Sequence, residues 1–161
     1  LSLLTKQKTI IEWFGKRAIL FSFIVVLLAT IGSLFYSEVL GYAPCKLCWF
    51  QRIFMYAGVV ILAMALFKKD RHIADYLIAL SLIGFMIAGY HYLLQLGLAP
   101  QVPCSTAEYS PDCSQRFVMA YGYVTIPLMA ATAFLLVIAL LLIDKLYNNK
   151  KTVPSFFHDS I

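Results

Sequence analysis

Two of the four cysteines stand three positions apart, in Pro44-Cys45-Lys46-Leu47-Cys48, and the other two, Cys104 and Cys113, stand nine apart. An even count with none left over suits two disulfide pairs, and such pairs persist only in oxidising compartments. A bridge closing the short loop from Cys104 to Cys113 contributes about 2–3 kcal/mol by loop entropy. A bridge from Cys45 to Cys48 constrains almost nothing, because both ends fall within one helical turn. That pair is a poor staple and a sensible redox centre. An apolar run begins at Trp49, directly after the motif, so the thiols lie over a helix N-terminus, where unpaired N–H groups and the helix dipole stabilise a thiolate. Lys46 and Arg52 add positive charge close by.

If the helix starts near Cys45, then Cys48, Gln51 and Arg52 share one face at i, i+3 and i+4 spacing. Arg52 then lies about 6 Å deeper than Cys48. An ionisable side chain at that depth is costly and points to function; the alternative is that so shallow an arginine snorkels to the headgroups. His91 lies in another apolar run, roughly 8 Å below its outer end at the helical rise. Alone it reads as an inter-helix hydrogen-bonding residue. Together with Arg52 and Cys48 it reads as one wall of a pocket for a lipid-soluble molecule with a polar head. His72 and His158 fall in charged segments and read as solvated.

A dithiol that accepts electrons must pass them on. The chain has no C-x-x-C-H, no four-cysteine cluster spacing and no G-x-G-x-x-G, the signatures of haem, iron–sulfur and dinucleotide sites. The mobile two-electron acceptor within a membrane is a quinone. Cys48, on the membrane side of the motif, would approach its ring, with Arg52 stabilising the oxygen that gains negative charge.

The elements that must position these residues are membrane spans. The 161 residues are 61% hydrophobic and 13% charged, with mean hydropathy +0.81, far from the roughly 45–50% apolar and 25% charged of soluble domains. Disorder is excluded by the same numbers. The net charge of +5 does not indicate nucleic acid, because the basic residues border apolar runs. Four runs are long enough to cross a bilayer: Ala18–Tyr36, Trp49–Phe67, Asp75–Leu96 and Thr125–Ile143. They are continuous rather than alternating, so they are helices and not barrel strands. The expectation is an all-α integral membrane protein, a four-helix transmembrane bundle in a single domain over 1–161.

Of the thirteen Lys and Arg, ten fall at one side: Lys6, Lys8, Lys16 and Arg17, then Lys68, Lys69 and Arg71, then Lys145, Lys150 and Lys151. The positive-inside rule places both termini in the cytoplasm. Ser37–Cys48 and Gly97–Val124 then face outward and carry all four cysteines. The first run is too long for a signal peptide and lacks a small-x-small cleavage site, so it reads as a retained helix. Residues Lys150–Ile161 read as a short polar tail. In the second outward segment Pro100, Pro103 and Pro111 oppose regular structure, and Ser114–Tyr121 reads as a short interfacial helix. Thr125 reads as a cap for the fourth span, with Pro127 in its first turn. Tyr90, Tyr92, Tyr121 and Tyr123 read as an aromatic belt.

At Pro44-Cys45-Lys46-Leu47-Cys48-Trp49-Phe50-Gln51-Arg52 the chain resembles the disulfide bond formation protein B family, most of all its shorter bacterial branch, often called BdbC. The likeness runs through nearly the whole chain, including Gly32-Ser33-Leu34 to Glu38, His91-Tyr92-Leu93, the Cys104/Cys113 loop and Gly122-Tyr123-Val124-Thr125-Ile126-Pro127. A C-x-x-C alone is weak; P-C-x-x-C-W-x-Q-R at the mouth of the second of four spans is specific. The resemblance implies a multi-pass oxidoreductase of the bacterial cell membrane, linking a thioredoxin-fold extracytoplasmic disulfide oxidase (DsbA/BdbD-like) to ubiquinone or menaquinone. It implies that the reduced partner attacks Cys104 of a Cys104–Cys113 disulfide, that electrons pass to Cys45–Cys48, and that Cys48 hands them to the quinone beside Arg52. On this reading Cys45, Cys48, Cys104 and Cys113 are catalytic, Arg52, Cys48, His91 and Gln51 hold the quinone, and no metal or nucleic acid takes part. The loop cysteines stand closer together than in the longer branch, so transfer between the pairs has a different geometry.

Vitamin K epoxide reductase homologues share the architecture but carry C-x-x-C on a late span with the loop cysteines upstream, the reverse of the order here. A four-thiolate metal module would need shorter ligand spacing than C-x8-C, and a purely structural tetraspan would tolerate loss of Cys45. The placement of the thiols is testable. On intact cells a membrane-impermeant maleimide is expected to label the reduced cysteines, and labelling only after the cytoplasmic face is opened would overturn the orientation.

Overall fold

A computed structural model describes residues 2–68, 73–100, 113–114 and 125–152. Among the described residues, four helices long and apolar enough to cross a membrane run in sequence: α1 Ser2–Leu34, continued by a wider π turn over Phe35–Val39, then α2 Lys46–Lys68, α3 Ile73–Gln95 and α4 Ile126–Thr152. Each helix packs on its neighbours in the order α1–α2–α3–α4, and α4 closes the ring against α1. The expected all-α four-helix bundle is the observed one.

Helix ends differ from the apolar runs. α2 begins ahead of Trp49, because the Trp49 N–H already bonds the Cys45 carbonyl at 3.1 Å. α1 and α4 extend well past the expected limits Ala18 and Ile143, and α4 takes in residues 150–152 of the expected tail. Hydropathy marks where hydrocarbon stops, whereas the backbone ladder continues wherever side chains tolerate it. At the end of α3, Gly97 takes φ +76°, and Gly97 and Leu98 bond back to the Leu94 and Leu93 carbonyls, the left-handed termination that glycine permits. The expected Thr125 cap is not made. Its carbonyl accepts the Met129 N–H at 3.1 Å, but among the described residues its buried hydroxyl has no hydrogen-bond partner. The expected helix over 114–121 lies outside the described residues apart from Ser114, as do Tyr121 and Tyr123.

The bundle is inside-out relative to a soluble protein. Leu28, Val60, Phe67 and Met86 are exposed, as a surface facing hydrocarbon allows. Small residues fill the seams: Ala18, Ser22, Ala65, Ala74, Ala88, Ala130 and Ala131 are buried. In lipid, where apolar burial drives no association, such residues let helices approach and gain dispersion contact. Two glycines set the closest approaches. A Cβ on Gly84 would lie 2.5 Å from the Phe134 ring, and one on Gly15 would lie 2.7 Å from Tyr147. At the end of the bundle remote from Cys45, Lys145 reaches Asp75 at 2.7 Å between two exposed side chains, a pair worth only about 0.2–1 kcal/mol.

Gly84→Ala is expected to destabilise the bundle by about 1–3 kcal/mol through overpacking, read as a lower melting temperature in detergent. Trimming the facing ring with Phe134→Leu in the same chain should recover part of the loss. An undiminished loss in the double variant would show that the ring is not the obstacle.

Candidate redox site

Cys45 is the residue from which α2 starts and Cys48 is in its first turn. The proline before the motif keeps the preceding chain extended, so the two thiols fall over the helix N-terminus. They form a dithiol: the Cys45 Sγ–H donates to the Cys48 Sγ at 3.1 Å. Cys45 is buried and Cys48 partly exposed.

Arg52 is buried at 6% exposure and does not snorkel. Its Nε donates to the Ser33 hydroxyl at 3.0 Å and an Nη2 hydrogen goes to the Ser33 carbonyl at 2.8 Å. The guanidinium also lies 5.6 Å from the centre of the Trp49 ring, a cation–π distance. Ser33 stands just before the π turn of α1, a local widening that recurs at functional sites.

Cys48, Gln51 and Arg52 line one cavity of about 250 Å³, closed on the other sides by α1 and the start of α4, with Gly32, Ser33 and Met129 in its wall. A Cβ on Gly32 would meet nothing within 4 Å, so the space beside α1 is open. His91 faces elsewhere. It is 1% exposed and sits on the α3 side of α2, its Nδ1 3.0 Å from the Gln51 Nε2. Its Nε2 lies 3.1 Å from the Cys113 carbonyl oxygen and 3.7 Å from the Cys45 Sγ. Cys113 is buried in one cluster with Cys45 and Leu94, with Leu47 and Cys48 packed against it. The structure therefore brings six of the seven expected site residues to one end of the bundle, in two groups on either side of α2. Cys104, the seventh, lies outside the described residues.

Of the two expectations for His91, a pocket wall or an inter-helix hydrogen-bonding residue, its contacts with Gln51 and the Cys113 carbonyl are of the second kind; Ser33 was given no role. A serine one turn before a helix end in an apolar run was the available signal. Cys45, Cys48 and His91 also present three ligand atoms within 4.8 Å of one another, the spacing of a soft-metal site. Here the imidazole nitrogen concerned faces a carbonyl oxygen, which calls for a proton on it rather than a metal.

A dithiol at one end of a bundle of four helices long enough to span a membrane, beside a buried arginine and an apolar cavity, fits the class of membrane thiol–disulfide oxidoreductases. The model of the family "Disulfide bond formation protein DsbB" matches residues 15–143, and the chain belongs to that family. It is 42% identical to the SPbeta prophage-derived disulfide bond formation protein B of Bacillus subtilis over 76% of this chain and 81% of that one. It is 40% identical to disulfide bond formation protein C of the same organism over 73% of this chain and 84% of that one. A probable disulfide formation protein of Metapseudomonas resinovorans is 41% identical over 84% of this chain and 92% of its own. No solved structure matches the chain.

The hydrogen bond to Cys48, and after it burial, push the Cys45 thiol up from 9.0 to about 12, with His91 pulling more weakly the other way. In the reduced protein, alkylation of Cys45 is expected to keep rising through pH 9 toward 12, followed by mass spectrometry. Cys48→Ala removes the acceptor and should bring the midpoint back down. The raised value also stabilises the fold fully below about pH 9, and that contribution is lost as pH climbs toward 12.

Proposed function

We propose that this chain is a quinone-dependent protein-disulfide oxidoreductase of a bacterial cell membrane, which reoxidises an extracytoplasmic thioredoxin-fold dithiol oxidase. The observation that carries the reading is a cavity into which a redox sulfur, a buried guanidinium and an apolar wall all open. Its volume of about 250 Å³ is near the lower end of small-molecule sites and suits a substituted ring whose long apolar tail stays in lipid. A bound quinone supplies a sink for two electrons and two protons.

The chain's own residues divide the work. Ser33 takes two hydrogens of Arg52, and a guanidinium has five N–H donors, so donors remain for an oxygen in the cavity. Holding that charge fixed in a low-dielectric wall favours negative charge growing beside it. Gln51 offers a neutral amide in the same wall, and Cys48 offers the sulfur. Cys45 holds its proton more firmly than a free thiol and stands beside Cys113, through which electrons arrive from the outward loop. There the partner dithiol attacks Cys104, Cys113 is released, and thiol–disulfide exchange moves the oxidising disulfide outward as electrons move inward. The four cysteines occupy the extracytoplasmic side, with both termini in the cytoplasm.

Purified protein in detergent, given a reduced thioredoxin-like dithiol and a soluble quinone analogue, is expected to reduce one quinone for each dithiol oxidised. Cys48→Ser should abolish the reaction. Arg52→Ala should slow quinone reduction by about tenfold or more, the scale of a lost charge-assisted hydrogen bond, while dithiol attack on the loop pair continues. Quinone turnover in Arg52→Ala equal to the parent would remove that arginine from the reaction.

A further inference from the structure

The hydrogen bonds of His91 define its protonation. A carbonyl oxygen only accepts, so the Nε2 facing the Cys113 carbonyl at 3.1 Å carries a hydrogen. A neutral imidazole has one N–H, so Nδ1 is the acceptor, and the Gln51 side-chain nitrogen at 3.0 Å donates to it. The arrangement is self-consistent at both edges, and both side chains are almost closed to solvent, at 1% and 4% exposure. Nε2–H also faces the Cys45 sulfur at 3.7 Å. One ring thus touches the main chain of the turn that carries Cys113, the sulfur of the helix pair, and α2. It takes no part in the cavity wall.

We propose that His91 is a positioning residue for transfer between the two cysteine pairs: as its Nε2–H tautomer, braced by Gln51, it clamps the main chain of Cys113 over Cys45. This rests on the proposed function, in which the loop pair feeds the helix pair. In the transfer, the Cys113 thiolate freed from Cys104 gives its electron pair to the Cys45 sulfur. The Cys113–Cys45 bond forms, the Cys45–Cys48 bond breaks, and Cys48 leaves as a thiolate with the bonding pair. One thiolate is consumed and one produced, so no net proton moves. His91 acts through the Cys113 carbonyl: it holds the attacking residue in place, where misplacement by about 1 Å costs on the order of 100-fold in rate.

The test isolates the clamp from both quinone and partner. In a full-length Cys48→Ala/Cys104→Ala chain, only Cys45 and Cys113 remain of the four cysteines. Reduced protein in detergent is treated with diamide, a two-electron thiol oxidant, and the Cys45–Cys113 disulfide is timed by peptide mass spectrometry. His91→Leu is expected to slow it by about tenfold or more, and His91→Gln, which keeps a donor N–H on that side chain, to restore most of the rate. Gln51→Leu, which removes the brace, should slow it as well, and gives a second reading if His91→Leu does not fold. Binding of menadione to the His91→Leu chain, followed by tryptophan quenching, should stay within twofold of the parent. A rate unchanged by His91→Leu and Gln51→Leu would overturn the proposal, as would no Cys45–Cys113 disulfide in the parent background, or equal losses in His91→Leu and His91→Gln. Weakened menadione binding would assign His91 to the cavity instead. Failure of dithiol-linked quinone reduction, with the disulfide contrast intact, would count against the proposed function and not against the clamp.

Discussion

A guanidinium inside an apolar bundle must be paired, and the rest of the site is arranged around the pairing of Arg52 with Ser33. A charge removed from water without partners costs several kcal/mol. Here one serine supplies both a hydroxyl and a carbonyl to the same side chain, and the indole of Trp49 covers another part. The contact binds α1 to the first turns of α2 at the level where α1 widens into its π turn. It also holds the positive charge in the wall of a cavity that Gly32 leaves open.

Successive residues of a helix point about 100° apart, and Gln51 and Arg52 use that difference. Arg52 is turned toward α1, and Gln51 reaches His91 on α3 while still forming part of the cavity wall. α2 therefore carries two polar networks on different sides, with the dithiol above both. One side is open to a ligand. The other is closed by the turn holding Cys113. In the proposed relay the closed side is where electrons would enter and the open side is where they would leave, with the Cys45 and Cys48 sulfurs 3.1 Å apart between them.

The remainder of the bundle acts as a rigid frame. Its seams interleave alanine and serine with large buried side chains such as Leu62, Leu77, Phe134, Val137 and Leu141, and its outer surface is rich in leucine, isoleucine, valine, methionine and phenylalanine. Close approaches such as Gly84 to Phe134 fix helix positions at contact distance.

Hydropathy and charge were sufficient for the number of spans and their helical character, because a bilayer sets a length and forbids unpaired backbone. The spacing of Cys45, Cys48, Gln51 and Arg52 was enough to put them on one helix end, since 3.6 residues per turn is a local rule. Depth was legible for the same reason, which is why His91 was expected at the level of Arg52. Direction was not. Whether a side chain at a given depth meets α1 or α3 depends on how far each helix is rotated in the bundle, and contacts between residues distant in sequence decide that rotation. Only the tertiary structure paired Arg52 with Ser33, turned His91 toward Cys45 and Cys113, and carried α4 beyond its apolar run. The sequence by itself determined which residues gather at one end of the bundle; packing decided which of them touch.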